Sequence, residues 1–404
     1  MTIPGLSEKL LLPKGFSFSA IAAGLKASGR LDLSFVEACA GTTAAAMFTK
    51  NRVVAAPVEV GRASLTKSKG KIRAVIINSG NANCATGKAG LQSCQHVCRE
   101  TAALLGVRPE EVFPSSTGII GVPLPTDKIT TNLPALIEAR EASEHGFNQL
   151  TQAIVTTDTR PKQASVSFRV GQCEITLTGV AKGSGMIHPQ LATMLVYVFT
   201  DITASPAELR QLLRKACDVS FNCMSVDGDT STNDTVLLLA SGQSGVRLKD
   251  PLVKTKFAKA LHGVCQSLAD QIIADGEGVQ HVIHLSIEQA KNREEALRVA
   301  RAIAHSLLVK TAWAGADPNW GRILAAVGNC GVPVNPAHVN IFIGKQQVCR
   351  DGAACAFDGA QAHSDLSQHD CTVRVQLHRG QGKVLFQTTD LTAEYVRINA
   401  DYST

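Results

Sequence analysis

The chain has 404 residues, 45% of them hydrophobic and 18% charged, with a formal net charge of +6 and only 4% aromatic residues. That is enough apolar material for a large core in about two or three domains, while basic residues spread along the chain and few rings for stacking exclude nucleic-acid binding. Twelve scattered cysteines read as reduced thiols rather than a disulfide framework; with no leader-like start and no run of about 20 apolar residues, a cytoplasmic protein without membrane partners is expected.

In chain order, 74–78 reads as a short buried strand entering a Gly/Asn loop, and 90–105 carries helical spacing through Leu91, Cys94, Val97 and Leu104. Residues 134–154 read as one long amphipathic helix that stops where Thr156-Thr-Asp-Thr159 begins. Residues 166–170 and 174–180 alternate as strands that lead into Lys182-Gly-Ser-Gly-Met-Ile-His188, and 194–199 is an apolar strand beyond it. Residues 206–217, 251–274 and 290–309 read as helices, the first with an acidic start and basic close that suit the helix dipole. Residues 339–343, 372–376 and 383–388 are expected strands of a final sheet, with 393–399 as one more. The pattern is mixed α/β without strict βαβ alternation, and a division near Gly242 separates a unit of 1–241 from one of 242–404.

The segment 182–201 carries the sharpest chemical signal. Gly183 and Gly185 loosen a turn directly ahead of Thr193, which opens the apolar strand and is thereby held at the end of a rigid element. A threonine hydroxyl is a weak nucleophile without an adjacent base, and one arrangement uses the residue's own α-amine after the preceding bond, here Ala192–Thr193, has been cut. Ser115-Ser-Thr-Gly-Ile-Ile-Gly121 is a small, hydroxyl-rich turn able to aim an O–H and a backbone N–H at one point, as an oxyanion hole requires. Taken singly, Lys182 is an ordinary surface lysine, Thr156 a capping residue, Glu277 in Asp275-Gly-Glu-Gly278 a helix-ending turn, and His188 a satisfied turn histidine.

Three other motifs fail on their spacing. Gly80 to Lys88 has six residues between its glycines and Ala89 where a phosphate loop needs a hydroxyl. The run from Asp227 begins like a calcium loop but has Thr232 and Leu238 where glycine and glutamate belong, and is read as a structured polar loop. No Cys-x-x-Cys or His-Glu-x-x-His supports a metal site.

The ordered set of Ala40-Gly-Thr-Thr-Ala44, Asn78-Ser-Gly-Asn-Ala-Asn83, 115–121, 156–159, the 182–201 segment, 225–234, Gly315-Ala-Asp-Pro-Asn-Trp-Gly-Arg322 and Asn399-Ala-Asp-Tyr-Ser-Thr404 resembles the bifunctional ornithine acetyltransferase / glutamate N-acetyltransferase family of arginine biosynthesis. The resemblance implies an αββα-type sandwich like that of the self-cleaving aminopeptidases, with a smaller C-terminal α/β domain. It implies self-cleavage between Ala192 and Thr193 into chains 1–192 and 193–404, assembled as a heterotetramer of two α and two β chains. Thr193 becomes the nucleophile, Thr117 and Gly118 the oxyanion hole, and Thr156, Lys182, Thr193, Glu277, Asn399 and Thr404 the substrate contacts. The expected reaction moves acetyl from N2-acetylornithine to glutamate, giving ornithine and N-acetylglutamate, without cofactor or metal and with acetyl-CoA as a possible second donor. Water as acceptor, giving a hydrolase, and a non-catalytic amino-acid-binding protein are the rival readings.

Overall fold

The computed structural model describes residues 6–188 and 194–401. The chain begins with β1 (Phe16–Ile21), β2 (Leu33–Ala38), β3 (Thr43–Phe48), α1 (Ala56–Lys67), β4 (Ala74–Asn81), α2 (Gly87–Leu105), β5 (Val112–Ile119), α3 (Thr126–Glu138) and α4 (Glu144–Ile154). It continues through β6 (Lys162–Val170), β7 (Cys173–Lys182), β8 (Leu195–Thr200), α5 (Pro206–Val219), β9 (Met224–Ser225), β10 (Thr235–Ala240) and α6 (Pro251–Ile273). The remainder supplies β11 (Val282–Ala290), α7 (Arg293–Ala304), α8 (Leu307–Ala314), α9 (Trp320–Gly328), β12 (Asn340–Ile343), β13 (Gln346–Arg350), β14 (Ala353–Ala354), α10 (Gly359–Leu366), β15 (Asp370–Gln376), β16 (Gly382–Thr389) and α11 (Ala393–Asp401).

Two sheets, β1-β2-β4-β5 and β3-β10-β8-β7-β6, lie face to face. The unbroken apolar run of β8 explains why: a strand covered on both faces has no polar side to alternate. Leu195, Tyr197 and Phe199 enter the core between the sheets with Phe18, Val36 and Ile77, whereas Val196 and Val198 point to the core under α5 and α6 with Leu209, Leu213, Leu261 and Leu268. Phe18 meets Phe147 and Phe199 edge-on at 5.2 and 5.3 Å, contacts worth about 0.5–1.5 kcal/mol each beyond the area they bury. On the outer side of the first sheet, α1, α2 and α3 pack Val60, Cys94 and Leu133 against Phe35 and Ile76. The layers are therefore helix, sheet, sheet, helix: a mixed α+β sandwich of αββα type.

A second core forms around the sheet β14-β13-β12-β15-β11-β16-β9, covered by α7, α9 and α10. Strand β9 belongs in sequence to the first unit, yet it pairs in parallel with β16 through Met224–Gln387 and Ser225–Thr388. Helix α6, which a division at 241/242 assigns to the second unit, packs on β6 and β7 of the sandwich through Phe257, Leu261, Val264 and Leu268. No described helix is long and apolar enough to cross a membrane, and all twelve cysteines are free.

Three elements differ from expectation. The helix expected over 134–154 is two: after α3 the backbone of Glu141 pairs with Phe18 of β1 (N···O 2.9 and 3.0 Å), and Ser143 caps α4 by accepting from the Gly146 N–H at 3.1 Å. The helix expected over 290–309 is likewise divided, because Ala290 closes β11 opposite Gly382 and both Asn292 and Ser306 start new helices as N-caps. The last segment, expected as a strand, is helix α11. The free side of β16 is already taken by β9, Thr392 Oγ1 accepts from Tyr395 N at 3.3 Å, and Glu394 pairs with Arg397 one turn on.

Candidate active site

The tips of β4 and β5 make one wall. The pair runs parallel until the register breaks at Gly80 and Asn81, opposite Thr117 and Gly118. Gly118 has φ 133°, and a Cβ there would lie 2.3 Å from the carbonyl carbon of Gly80, so only glycine permits the two backbones to approach. Asn233 Nδ2 braces the turn by donating to the carbonyls of Ala82 (2.7 Å) and Ser116 (2.9 Å).

Lys182, the last residue of β7, delivers a buried cation to this wall. Its Nζ donates to Thr156 Oγ1 at 2.7 Å and Thr117 Oγ1 at 3.2 Å. Both hydroxyls accept from the ammonium, which leaves their own hydrogens for the pocket they line. Among the described residues no carboxylate lies within ion-pair distance of Lys182. Burial pulls its pKa below the usual lysine range, partly opposed by the carboxylates of Asp158, Glu277 and Asp234.

Beneath Lys182 a buried triad fastens three loops together. Lys162 Nζ reaches Asp158 Oδ1 at 2.6 Å and Asp275 Oδ2 at 2.5 Å, with all three side chains at most 3% exposed. Asp158 also accepts from Gly183 N (2.6 Å) and Thr156 N (3.1 Å), and Asp275 from both the N–H and the hydroxyl of Thr159. Burial by itself would raise the Asp158 carboxyl, but Lys182, Lys162 and the Gly183 N–H bring it down to about 2.

Glu277 follows directly in the chain. Its N–H donates to Ser184 O at 3.1 Å, and Asn399 Nδ2, from α11, donates to its Oε2 at 2.9 Å. A Cβ on Gly185 would stand 2.3 Å from that same oxygen. The sequence suggested that Gly185 serves an unusual backbone angle; the structure gives the left-handed position to Met186, φ 55°, and makes Gly185 the space in which the carboxylate rests. Asp227 holds the turn by accepting from Met186 N (2.6 Å) and Ile187 N (3.0 Å), and burial raises its carboxyl to about 6.

The resulting pocket, about 630 Å³, is lined by Thr117, Gly118, Thr156, Lys182, Glu277 and Asn399, with Ser231, Thr232 and Asn233 alongside. Six of the residues singled out from sequence thus share one cavity. Ala192, Thr193 and Thr404 lie outside the described residues. Met194, the residue after Thr193, donates its N–H to Asp234 Oδ1 at 3.0 Å, and burial keeps that carboxyl well above the usual range. His188 is not the satisfied turn histidine expected: among the described residues its Nδ1 is buried without a partner, and its ring lies against His305 at 4.7 Å.

Sequence reasoning assigned no role to Asn233, Asp158, Asp275, Asp227 or Asp234, although all stand inside quoted blocks. The signal was their placement beside the site residues in otherwise small, polar runs. Lys162, the first residue of β6 and outside the strand expected over 166–170, carried no signal at all. A site with hydroxyl donors on a buried ammonium and a carboxylate lining the same pocket suits a zwitterionic ligand.

Comparison with known proteins follows the same residues. The ArgJ family model matches residues 17–404. The arginine biosynthesis bifunctional protein ArgJ of Methylococcus capsulatus is 42% identical, over 99% of this chain and 98% of its own length. Its counterpart in Geobacter sulfurreducens is 41% identical, over 97% of this chain and 99% of its own. Among solved structures, arginine biosynthesis bifunctional protein ArgJ of Bacillus halodurans is 40% identical with a TM-score of 0.49, covering 51% of this chain and 98% of that one. Since the family match runs unbroken through every loop that builds the pocket, and both relatives align along nearly their full length, the chain belongs to the ArgJ family.

Proposed function

We propose that this chain is a self-processing, threonine-nucleophile N-acetyltransferase of arginine biosynthesis that moves acetyl from N2-acetylornithine to glutamate. The carrying observation is the buried Lys182 ammonium, bonded to Thr117 and Thr156 and free of any described ion-pair partner, in one pocket with the Glu277 carboxylate. An amino-acid substrate needs both charges met, and here Lys182 takes its carboxylate and Glu277 its ammonium.

Thr193 Oγ first attacks the Ala192 carbonyl and the Ala192–Thr193 C–N bond breaks, which leaves an ester on Thr193 Oγ and frees the Thr193 α-amine; water then hydrolyses the ester, releasing the Ala192 carboxylate and restoring the hydroxyl. An α-amine has a reference pKa of about 7.7–8.0, so near neutral pH a good part of it is unprotonated and able to act as base. In turnover, Thr193 Oγ adds to the acetyl carbonyl and its proton passes to that amine. The oxyanion is held by the Thr117 O–H and Gly118 N–H, donors of a kind worth about 2.7–4 kcal/mol apiece. The C–N bond then breaks, the amine returns its proton to the leaving nitrogen, and ornithine departs from an acetyl-threonine ester. The neutral amine of glutamate attacks this ester by the same steps in reverse. Exchange between two similar amides needs no activated donor, so the reading takes no cofactor or metal. The bifunctional designation of the relatives supports acetyl-CoA as a second donor for making N-acetylglutamate.

Chains 1–192 and 193–404 remain one unit in this reading, and two such units form the heterotetramer. Twelve free cysteines suit a reducing cytoplasm. Intact mass spectrometry tests the reading. With acetylornithine alone, the 193–404 fragment should gain one acetyl group, and glutamate should discharge it. Steady turnover of acetylornithine without glutamate would make the enzyme a hydrolase, and an active full-length chain without acetyl adduct would overturn the mechanism.

A further inference from the structure

A second cavity, about 660 Å³, opens in the C-terminal unit, away from the residues of the active-site pocket. Its polar lining includes Arg301, His305, Ser306, Asn319, Arg322 and Asn329, and no carboxylate is among its lining residues. Part of the wall is the block 315–322, which the acetyl-transfer chemistry does not use.

The two arginines are the informative groups. Among the described residues, Arg301 Nε is buried without a hydrogen-bond partner and no carboxylate lies within ion-pair distance of its guanidinium. Arg301 is half-buried, and its partial desolvation together with the nearby Arg293 disfavours its charge, which an anion bound beside it would offset. Arg322 is fixed differently: its backbone N–H donates to Asn319 Oδ1 at 3.2 Å and its Nη1 to Leu308 O at 2.9 Å, which orients the fork and leaves other N–H groups unspent. The carboxylate of Asp317 is engaged by Asn319 Nδ2 at 3.1 Å and does not line the cavity. At neutral pH the imidazole of His305 is uncharged, because burial and the neighbouring His188, Lys310 and Arg301 bring it down to about 3. The cavity therefore presents two positive charges on planar guanidinium forks, one of them, Arg322, held in place, and such forks take oxyanions in bidentate fashion.

We propose that this cavity is a binding site for a small organic oxyanion, carboxylate or phosphoryl, held between Arg301 and Arg322. Its volume exceeds what a single inorganic ion fills, which leaves room for the anionic group to be one end of a larger molecule. The cavity is connected to the pre-cleavage turn: His305 Nε2 lies 3.0 Å from Ser225 Oγ, that hydroxyl donates to Ile187 O at 3.0 Å, and the His305 ring lies on that of His188. Occupancy is thus linked to Ile187 and His188, both inside the 182–201 segment.

Calorimetric titration of the purified full chain with pyrophosphate and with citrate is the test. Saturable 1:1 binding of at least one probe is expected, and the tighter of the two identifies the phosphoryl or the carboxylate class. Arg301→Gln/Arg322→Gln should weaken that binding about tenfold or more, with ligand-free melting temperature and acetyl transfer retained. Should the double variant fold poorly, the wild-type chain gives an independent readout: saturating probe should slow dicarbonyl modification of Arg301 and Arg322, followed by peptide mass. Absence of binding by both probes, equal binding by a folded double variant, or unchanged modification rates would each overturn the proposal.

Discussion

Lys182 shows what a single charge does when its surroundings are removed from water. Replacing it with methionine takes away the counter-charge proposed for a substrate carboxylate and also the donor that orients the Thr117 and Thr156 hydroxyls. Glu277→Gln removes the opposite charge. Losing one partner of a buried charge pair costs about 2–5 kcal/mol, so kcat/KM with acetylornithine and glutamate should drop by roughly 30-fold to several thousand-fold in each variant. Near-normal kinetics in either would remove that residue from the site. The deeper lysine behaves otherwise. Lys162→Met leaves the Asp158 and Asp275 carboxylates buried without their cation and should destabilise the fold by about 3–5 kcal/mol, seen as a lower denaturant midpoint. The motif blocks made Lys182 and Glu277 legible in the sequence. They could not reveal the triad, because Lys162 and Asp275 stand 113 positions apart and meet only after α6 has packed on β6 and β7.

The histidine pair carries a pH dependence whose sign follows from its burial. Desolvation first, and the nearby Arg301 charge after it, bring His188 to about 4, while desolvation, His188, Lys310 and Arg301 bring His305 to about 3, both from an ordinary 6.5. Below pH 6.5 the unfolded chain therefore binds protons that the folded chain refuses. The stability the pair contributes is complete above 6.5 and is lost as pH falls toward 4 and 3. Asp227 acts in the opposite sense between about 6 and its ordinary 3.8, since its folded carboxyl takes up a proton first. The readout is therefore a difference: between pH 7 and 5 the melting temperature of the wild type should fall further than that of His188→Gln/His305→Gln. Parallel profiles would show that the two rings titrate freely.

At the scale of elements, period-two and period-3.6 patterns were sufficient wherever an element has neighbours on its own faces. Strands β7, β8, β15 and β16 and helices α2, α5 and α6 stand within a few residues of where their patterns put them. The misreadings fall where a neighbour distant in sequence sets the outcome. Glu141 leaves the helical path to pair with β1, and β9 occupies the sheet edge that α11 would otherwise have joined. That edge matters for function, because a helical C-terminus presents Asn399 to Glu277 on a side chain, one turn beyond Tyr395. Tyr395 itself is seated over Gly278, where a Cβ would come within 2.4 Å of the Tyr395 nitrogen. Asn399→Ala should raise KM for amino-acid substrates several-fold with little change in melting temperature, since its residue is exposed apart from that contact and one helix hydrogen bond. Unchanged KM would mean the helix end is a bystander.

The whole molecule answers a question that the proposed cleavage raises: what would keep the two products together. Strand β7 precedes the Ala192–Thr193 bond and β8 follows it, yet they pair along six residues from Leu177–Thr200 to Lys182–Leu195. On the other side, β3 from the first fragment pairs with β10 from the second, from Thr235–Phe48 to Ala240–Thr43. The second sheet is thus woven from both fragments, and the core between the sheets draws Phe18 and Ile77 from one and Tyr197, Phe199 and Leu239 from the other. Cutting the connection leaves these contacts intact and removes only a short covalent link, so mass action cannot separate the halves at working concentrations. Denaturing mass analysis of the purified protein should give two species, 1–192 and 193–404, the second beginning with threonine. Native mass analysis should give no free fragment even on strong dilution. Thr193→Ala should run as a single full-length chain, since the attacking oxygen is gone, whereas Thr193→Ser should still cleave because its hydroxyl survives. Normal cleavage of the alanine variant would assign the cut to another nucleophile. Fragments that part on dilution would mean that the strand pairs joining β7 to β8 and β3 to β10 do not hold the processed enzyme.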